Sequence, residues 1–202
     1  MREDFLDEIQ KSIEQIMPHT DGISLIFGAP LKKNNSLFNA AIFLQNGNLK
    51  DTYFKQILPN YKEFDEKRYF ETGSENKIIT INEVSIGLSI CEDIWSETFV
   101  DKIIDDGAEI ILNLSASPFT TSKKETRVKM LLEYYEKYKR PIIYVNQAGG
   151  QDELVFDGSS LVLGNEKETF KILKSFKTDS LSFMYKDTKF IFENSEPEAK
   201  PD

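Results

Sequence analysis

Apolar residues recur at helical spacing at the start of the chain: Phe5, Leu6, Ile9, Ile13, Ile16 and Met17. This pattern predicts an amphipathic helix over residues 5–17, ended by Pro18 and Gly22. ISLIF (23–27) then reads as a buried strand. LFNAAIFLQ and LKDTYFK flank Asn46-Gly47, a strong hairpin signal, and KIITI and VSIGLSI flank Asn82-Glu83, which predicts a second hairpin.

From Val84 onward the pattern changes. Strand VSIGLSI leads to a helix with Trp95, Phe99, Val100, Ile103 and Ile104 on one face, closed by Gly107. Strand EIILNLS follows. Ser122 and Glu125 form an S-x-x-E capping-box pattern that opens a helix running to about Lys139. Pro141 precedes strand IIYVNQ, and SSLVLG with ETFKILKSF predicts a final hairpin. The order β-α-β-α-β implies right-handed crossovers and a locally parallel sheet. The predicted class is α/β with a mixed sheet, as one domain over 1–190 followed by an acidic, proline-containing tail at 191–202.

Composition narrows the function classes. Lys plus Arg minus Asp plus Glu gives 25 − 34 = −9. That balance argues against a nucleic-acid or anionic-membrane surface. A single cysteine, Cys91, rules out an intrachain disulfide and a cysteine-based zinc site, and a single histidine, His19, leaves no histidine cluster for a metal. No apolar run is long enough to span a membrane, and the first residues lack a signal-peptide core. A cytoplasmic setting is the expectation.

In open parallel sheets, sites form at the carboxyl ends of strands. Three segments sit there: Cys91-Glu92-Asp93, Asn113 to Phe119, and Asn146-Gln147. Cys91 reads either as a small buried hydrophobe or as a nucleophile, and the second reading needs a cation because Glu92 and Asp93 disfavour a thiolate. Lys55 is the candidate cation or one surface lysine among many. It precedes the segment QILPNYKEFDEKRYF, too aromatic for a solvated connector. Lys123 and Lys124, in the first turn of a helix, oppose its dipole and are compatible with holding an anion; exposed lysines that cost little are the equal alternative. His19 reads as structural, and the acidic run at 105–109 as a solvated helix end.

The segments KQILPNY, FDEKRYF, GLSICEDIW, NLSASPF and YVNQAGGQDELVFDGSS occur in this order. Together they resemble the glutamine-hydrolysing domain of glutamine-dependent NAD synthetases, a branch of the nitrilase (carbon–nitrogen hydrolase) superfamily, from about Phe5 to about Lys177. The resemblance implies an α-β-β-α sandwich that oligomerises through the helices covering its sheets. It implies a Cys–Glu–Lys triad, with Cys91 as nucleophile and Lys55 as oxyanion stabiliser, helped by the backbone N–H of Glu92. Glu66 matches the additional loop glutamate that orients the lysine. Contacts to L-glutamine fall on Tyr61, Ser117 and Lys123, with Arg127 a weaker candidate.

The family's catalytic glutamate precedes the helix that begins near Phe5, so the opening strand and helix of the sandwich and that glutamate are expected to be missing. Losing a proton carrier costs on the order of 10²–10⁴-fold. The expectation is therefore a truncated glutaminase domain with impaired turnover, or an inactive remnant or binding subunit. Partners implied are L-glutamine, further copies of the chain or a separate synthetase chain. The hydrolysis implies no metal or cofactor; ATP and Mg²⁺ would belong to the synthetase domain alone.

Overall fold

The structure, a computed structural model, describes residues 2–61, 64–164 and 170–192. Its contacts divide the chain into two compact units, Met1–Ala116 and Ser117–Asp202, where the sequence predicts one domain over 1–190. The predicted tail begins too early. Ile191 and Phe192 belong to the last strand, and residues 193–202 lie outside those described.

The first unit opens with α1 (Glu3–Ile16) and a short 3-10 turn, Met17–Thr20. Three antiparallel strands follow in the order β1 (Ser24–Lys33), β2 (Ser36–Gln45) and β3 (Asn48–Phe54). Helix α1 lies on this sheet through Ile13, packed with Ile42 and Leu44 and flanked by Ile9, Met17, Leu25 and Phe27. Phe5 and Ile16, predicted on the apolar stripe, are instead exposed. The strand predicted at 23–27 is longer, half-buried and at the sheet edge, which is why it tolerates Pro30. It turns into β2 through Asn34 and Asn35, both at positive φ (49° and 65°), as Asn46 and Gly47 do at the next turn.

On β2, Ile42 and Leu44 face α1, so alternation turns Ala41 and Phe43 to the other face. There the strand meets a second sheet, whose strands within this unit are β4 (Ile78–Ile81), β5 (Val84–Ile90) and β6 (Ile110–Ser115). The β4–β5 pair is the predicted hairpin about Asn82-Glu83, and β5 and β6 run parallel as the crossover pattern requires. Helix α2 (Glu97–Asp105) makes that crossover and buries Phe99, Val100 and Ile103. Gly87 is needed beneath it: a Cβ there would sit 2.9 Å from the Cβ of Ala108 and 3.3 Å from Ile103 Cδ1.

The second unit carries α3 (Lys123–Tyr138) and a three-stranded array in which β10 (Leu161–Leu163) pairs antiparallel with both β7 (Ile142–Asn146) and β11 (Phe170–Ile172). The β10–β11 pair is the predicted final hairpin, shortened. Two further hairpins went unpredicted: β8 (Ala148–Gln151) with β9 (Leu154–Asp157), and β12 (Phe183–Lys186) with β13 (Lys189–Phe192). The predicted capping box at Ser122 does not form. Its side chain accepts no cap hydrogen bond, and its carbonyl takes bonds from the backbone N–H and hydroxyl of Thr126.

Candidate active site

Lys55 follows the last residue of β3 and is held from both sides. Its N–H donates to Asn39 O at 2.9 Å, and its carbonyl accepts from Gly73 N–H at 2.8 Å. The returning chain passes so close that a Cβ on Gly73 would lie 2.1 Å from Phe54 O, so only glycine fits. The lysine is 1% exposed. Its Nζ bonds Glu66 Oε1 at 2.6 Å, Glu66 opening a single 3-10 turn, Glu66–Arg68. Glu66 Oε2 is buried and accepts no hydrogen bond among the described residues.

Cys91 is the first residue beyond β5. The parallel register aligns Ile90 with Leu114, so the cysteine emerges beside Ser115 at the end of β6. Its backbone takes φ of +46°, a left-handed conformation that costs a residue with a Cβ on the order of 1 kcal/mol and aims the side chain out of the strand line. Burial pushes the thiol above its ordinary range; Lys55 and a hydrogen bond with Ser115 pull it down, and Glu66 and Glu92 push it further up. The resting side chain is therefore a protonated thiol within the field of a lysine. Beneath it runs a buried polar ladder: Ser115 Oγ donates to Asn113 Oδ1 (3.0 Å), and Asn113 Nδ2 donates to Ser89 Oγ (2.9 Å).

Asp93 has a role that sequence reasoning missed. The motif counted it beside Glu92 as a charge near the thiol. The structure buries it completely and gives its carboxylate four donors. Oδ1 accepts from the backbone N–H groups of Gln56 (3.2 Å) and Ile57 (2.8 Å), and Oδ2 from Tyr53 Oη (2.7 Å) and Ile90 N–H (2.9 Å). Burial raises its pKa to about 6, against the pull of those hydrogen bonds and of Lys55. Its position in the first turn of a five-residue 3-10 helix, Cys91–Trp95, points it back at the strand end it has just left. The only advance signal was its place two residues past the cysteine. Glu92 instead accepts from Tyr61 Oη at 2.6 Å, and Tyr61 is 47% exposed.

Cys91, Lys55, Glu66, Tyr61 and Glu92 thus all lie in the first unit. The remaining predicted residues lie in the second. Ser117 is buried, its N–H donating to Asn146 Oδ1 at 3.0 Å, and Asn146 Nδ2 in turn donates to Gly158 O at 2.8 Å and Asp157 Oδ1 at 3.3 Å. Lys123 opens α3, half-buried, while Lys124 Nζ is tied to Ser175 Oγ at 3.1 Å. Arg127 is a core residue, 1% exposed, stacked 5.0 Å over the Tyr144 ring and 3.5 Å from Asp157 Oδ1. Among the described residues, no group of three or more His, Cys, Asp or Glu is placed to hold a metal ion, and no helix is long and apolar enough to cross a membrane.

A family profile for carbon–nitrogen hydrolases matches residues 12–181. The chain belongs to the carbon–nitrogen hydrolase family. Among curated relatives, it is 38% identical over 164 residues to a glutamine-dependent NAD(+) synthetase of Xanthomonas campestris pv. campestris, covering 80% of this chain and 30% of that protein. It is 35% identical over 186 residues to the glutamine-dependent NAD(+) synthetase of Thermotoga maritima, covering 90% of this chain and 32% of that protein. The chain thus spans about a third of the length of these relatives. Among solved structures, the glutamine-dependent NAD+ synthetase of Acinetobacter baumannii, in complex with ADP, superposes with a TM-score of 0.88 at 30% identity, over 96% of this chain and 38% of that one. An amidase of the nitrilase superfamily from Nesterenkonia AN1 superposes with a TM-score of 0.72 at 20% identity, over 84% of this chain and 63% of that one, a likeness of fold. The fold is that of the nitrilase superfamily, as the motifs implied.

Proposed function

We propose that this chain hydrolyses the side-chain amide of L-glutamine to L-glutamate and ammonia, and that the ammonia serves the synthesis of NAD from deamido-NAD. The observation that carries the reading is the buried Lys55 ammonium, held by Glu66 at 2.6 Å, acting on the thiol of a cysteine kept at positive φ at a strand end. An amide is a weak electrophile with a poor leaving group. The Cys91 sulfur adds to its carbon and loses its proton, and negative charge gathers on the former carbonyl oxygen. Lys55 and the backbone N–H of Glu92 stabilise that oxygen more than they stabilise the neutral amide, which lowers the barrier. Ammonia leaves with the added proton, a thioester remains, and water cleaves it to glutamate and free thiol. Glu66 Oε2, which accepts no hydrogen bond among the described residues, is available to an N–H of the bound amide. Tyr61, Ser117 and Lys123 are the proposed contacts to the glutamine backbone groups. The hydrolysis uses no cofactor; ATP and Mg²⁺ would serve the synthetase reaction only.

A second reading, binding without turnover as the partner of a separate synthetase chain or as a homo-oligomer, is favoured by the state of the nearby carboxylates. Glu92 is taken by Tyr61, Asp93 by four donors and one oxygen of Glu66 by Lys55, so the protonated thiol has few proton acceptors beside it. Ammonia release from glutamine separates the two. For the hydrolase, release is measurable, disappears in Cys91→Ala, and falls by about 10²-fold or more in Lys55→Met. Release that survives in Cys91→Ala contradicts both. No release, with L-glutamine still binding, favours the second reading.

A further inference from the structure

We infer that Asp93 is a positioning residue: its carboxylate pins the segment carrying Lys55 to the turn carrying Cys91 and so keeps the ammonium within reach of the sulfur. The proposal rests on the reading of Lys55 and Cys91 as a cation–thiol pair. Oδ1 holds the two residues that follow Lys55 (Gln56 N–H at 3.2 Å and Ile57 N–H at 2.8 Å), while Tyr53, two residues before it, donates to Oδ2 at 2.7 Å. The same oxygen accepts from Ile90 N–H at 2.9 Å, the residue before Cys91. One carboxylate therefore brackets the lysine on both sides and closes the strained turn of the cysteine. Burying a carboxylate carries a desolvation cost, which is explained if its gain is geometric.

The charged and titratable groups around it are Lys55 and Tyr53 from the strand-end segment, Cys91 and Glu92 from its own turn, and Glu66 across the lysine. Ser115 contacts the thiol and Gln56 the Tyr53 hydroxyl, both uncharged.

The test is the pH–rate profile of Cys91 alkylation by iodoacetamide, a small neutral reagent that needs no glutamine pocket. It is run on the full chain, on Asp93→Ala, on Lys55→Met and on the double variant. Lys55 pulls the thiol pKa down, so loss of its field slows alkylation at neutral pH, by about tenfold. If Asp93 acts through Lys55, Asp93→Ala slows it by a similar factor, and the double variant is no slower than Lys55→Met. Asp93→Asn keeps an oxygen for Gln56 and Ile57 and an amide that donates to Tyr53, and loses only the acceptor for Ile90 N–H, so its slowing is smaller, about threefold. If Asp93→Ala does not fold, Asp93→Asn takes its place, and its smaller slowing must vanish in the Lys55→Met background. Equal slowing in both backgrounds, or no slowing in either, overturns the proposal. Failure of the glutaminase reading appears elsewhere, as absent ammonia release with this alkylation pattern unchanged.

Discussion

At the scale of single residues, the site is built on three buried charged groups, and each has a measurable cost. Lys55 is fully buried and its partner Glu66 is partly buried, its side chain 18% exposed. Glu66→Gln leaves an ammonium out of water without its counter-charge, so unfolding in urea is expected to become easier by about 2–3 kcal/mol, somewhat below the range for fully buried pairs. An unchanged midpoint would place the lysine in solvent. Asp93 gives a pH signature with a definite sign. Its folded pKa is about 6 against an ordinary 3.8, so between those values the folded state binds more protons than the unfolded chain. Its contribution to stability is largest below the lower value and is lost as pH rises through the upper one. The stability of the parent relative to Asp93→Asn should fall from about pH 4 to about pH 6 and then level off. A relative stability that rises over this window would contradict the burial. Cys91, Lys55 and Glu66 could be picked out in the sequence because rare residue types stand in specific motifs. Asp93 could not be, since nothing in C-E-D says which carboxylate turns inward.

At the scale of elements, the strands and turns set the distances. Gly73 lets the returning chain lie against Phe54 and Lys55, and Gly73→Ala would place a methyl 2.1 Å from a backbone oxygen. The backbone must yield there, so a destabilisation of about 2–3 kcal/mol and slower Cys91 alkylation are expected together. Full alkylation rate in a destabilised Gly73→Ala would mean that this crossing does not hold the lysine. The elements themselves were largely legible. Periodicity gave α1, and the Asn46-Gly47 and Asn82-Glu83 turns gave two hairpins, because positive φ at consecutive positions leaves a mark in composition. The Asn34-Asn35 turn carries the same mark, but Gly28 and Pro30 interrupt the strand pattern ahead of it. The Asp187-Thr188 turn, also at positive φ, was hidden by a short, polar-interrupted hairpin. The capping box at Ser122 failed for a different reason: a side-chain hydroxyl competes with local backbone geometry that sequence spacing does not describe.

At the scale of the whole molecule, the two units have separate buried polar centres. The second is built on Arg127, Asp157 and Asn146, and Arg127, the weaker candidate for a glutamine contact, forms a core ion pair there. Arg127→Ala strands a buried carboxylate and should cost about 3–5 kcal/mol in urea, whereas Arg127→Met with Asp157→Leu should recover most of it. A mild effect of Arg127→Ala would return the arginine to the list of substrate contacts. The net charge of −9 disfavours binding to phosphate backbones. Family membership was legible because five motifs in order exceed what composition can imitate; the division after Ala116 was not, because the chain crosses it with no linker-like composition.

The central claim is that the thiol of Cys91 stands in a glutamine-shaped site beside Lys55. It is tested most directly by exposing the chain to a diazo-ketone analogue of glutamine and mapping the adduct by mass. The account predicts a single adduct on Cys91, blocked by excess L-glutamine and slowed in Lys55→Met. No adduct on a cysteine that iodoacetamide still reaches, or an adduct that L-glutamine does not block, would contradict it.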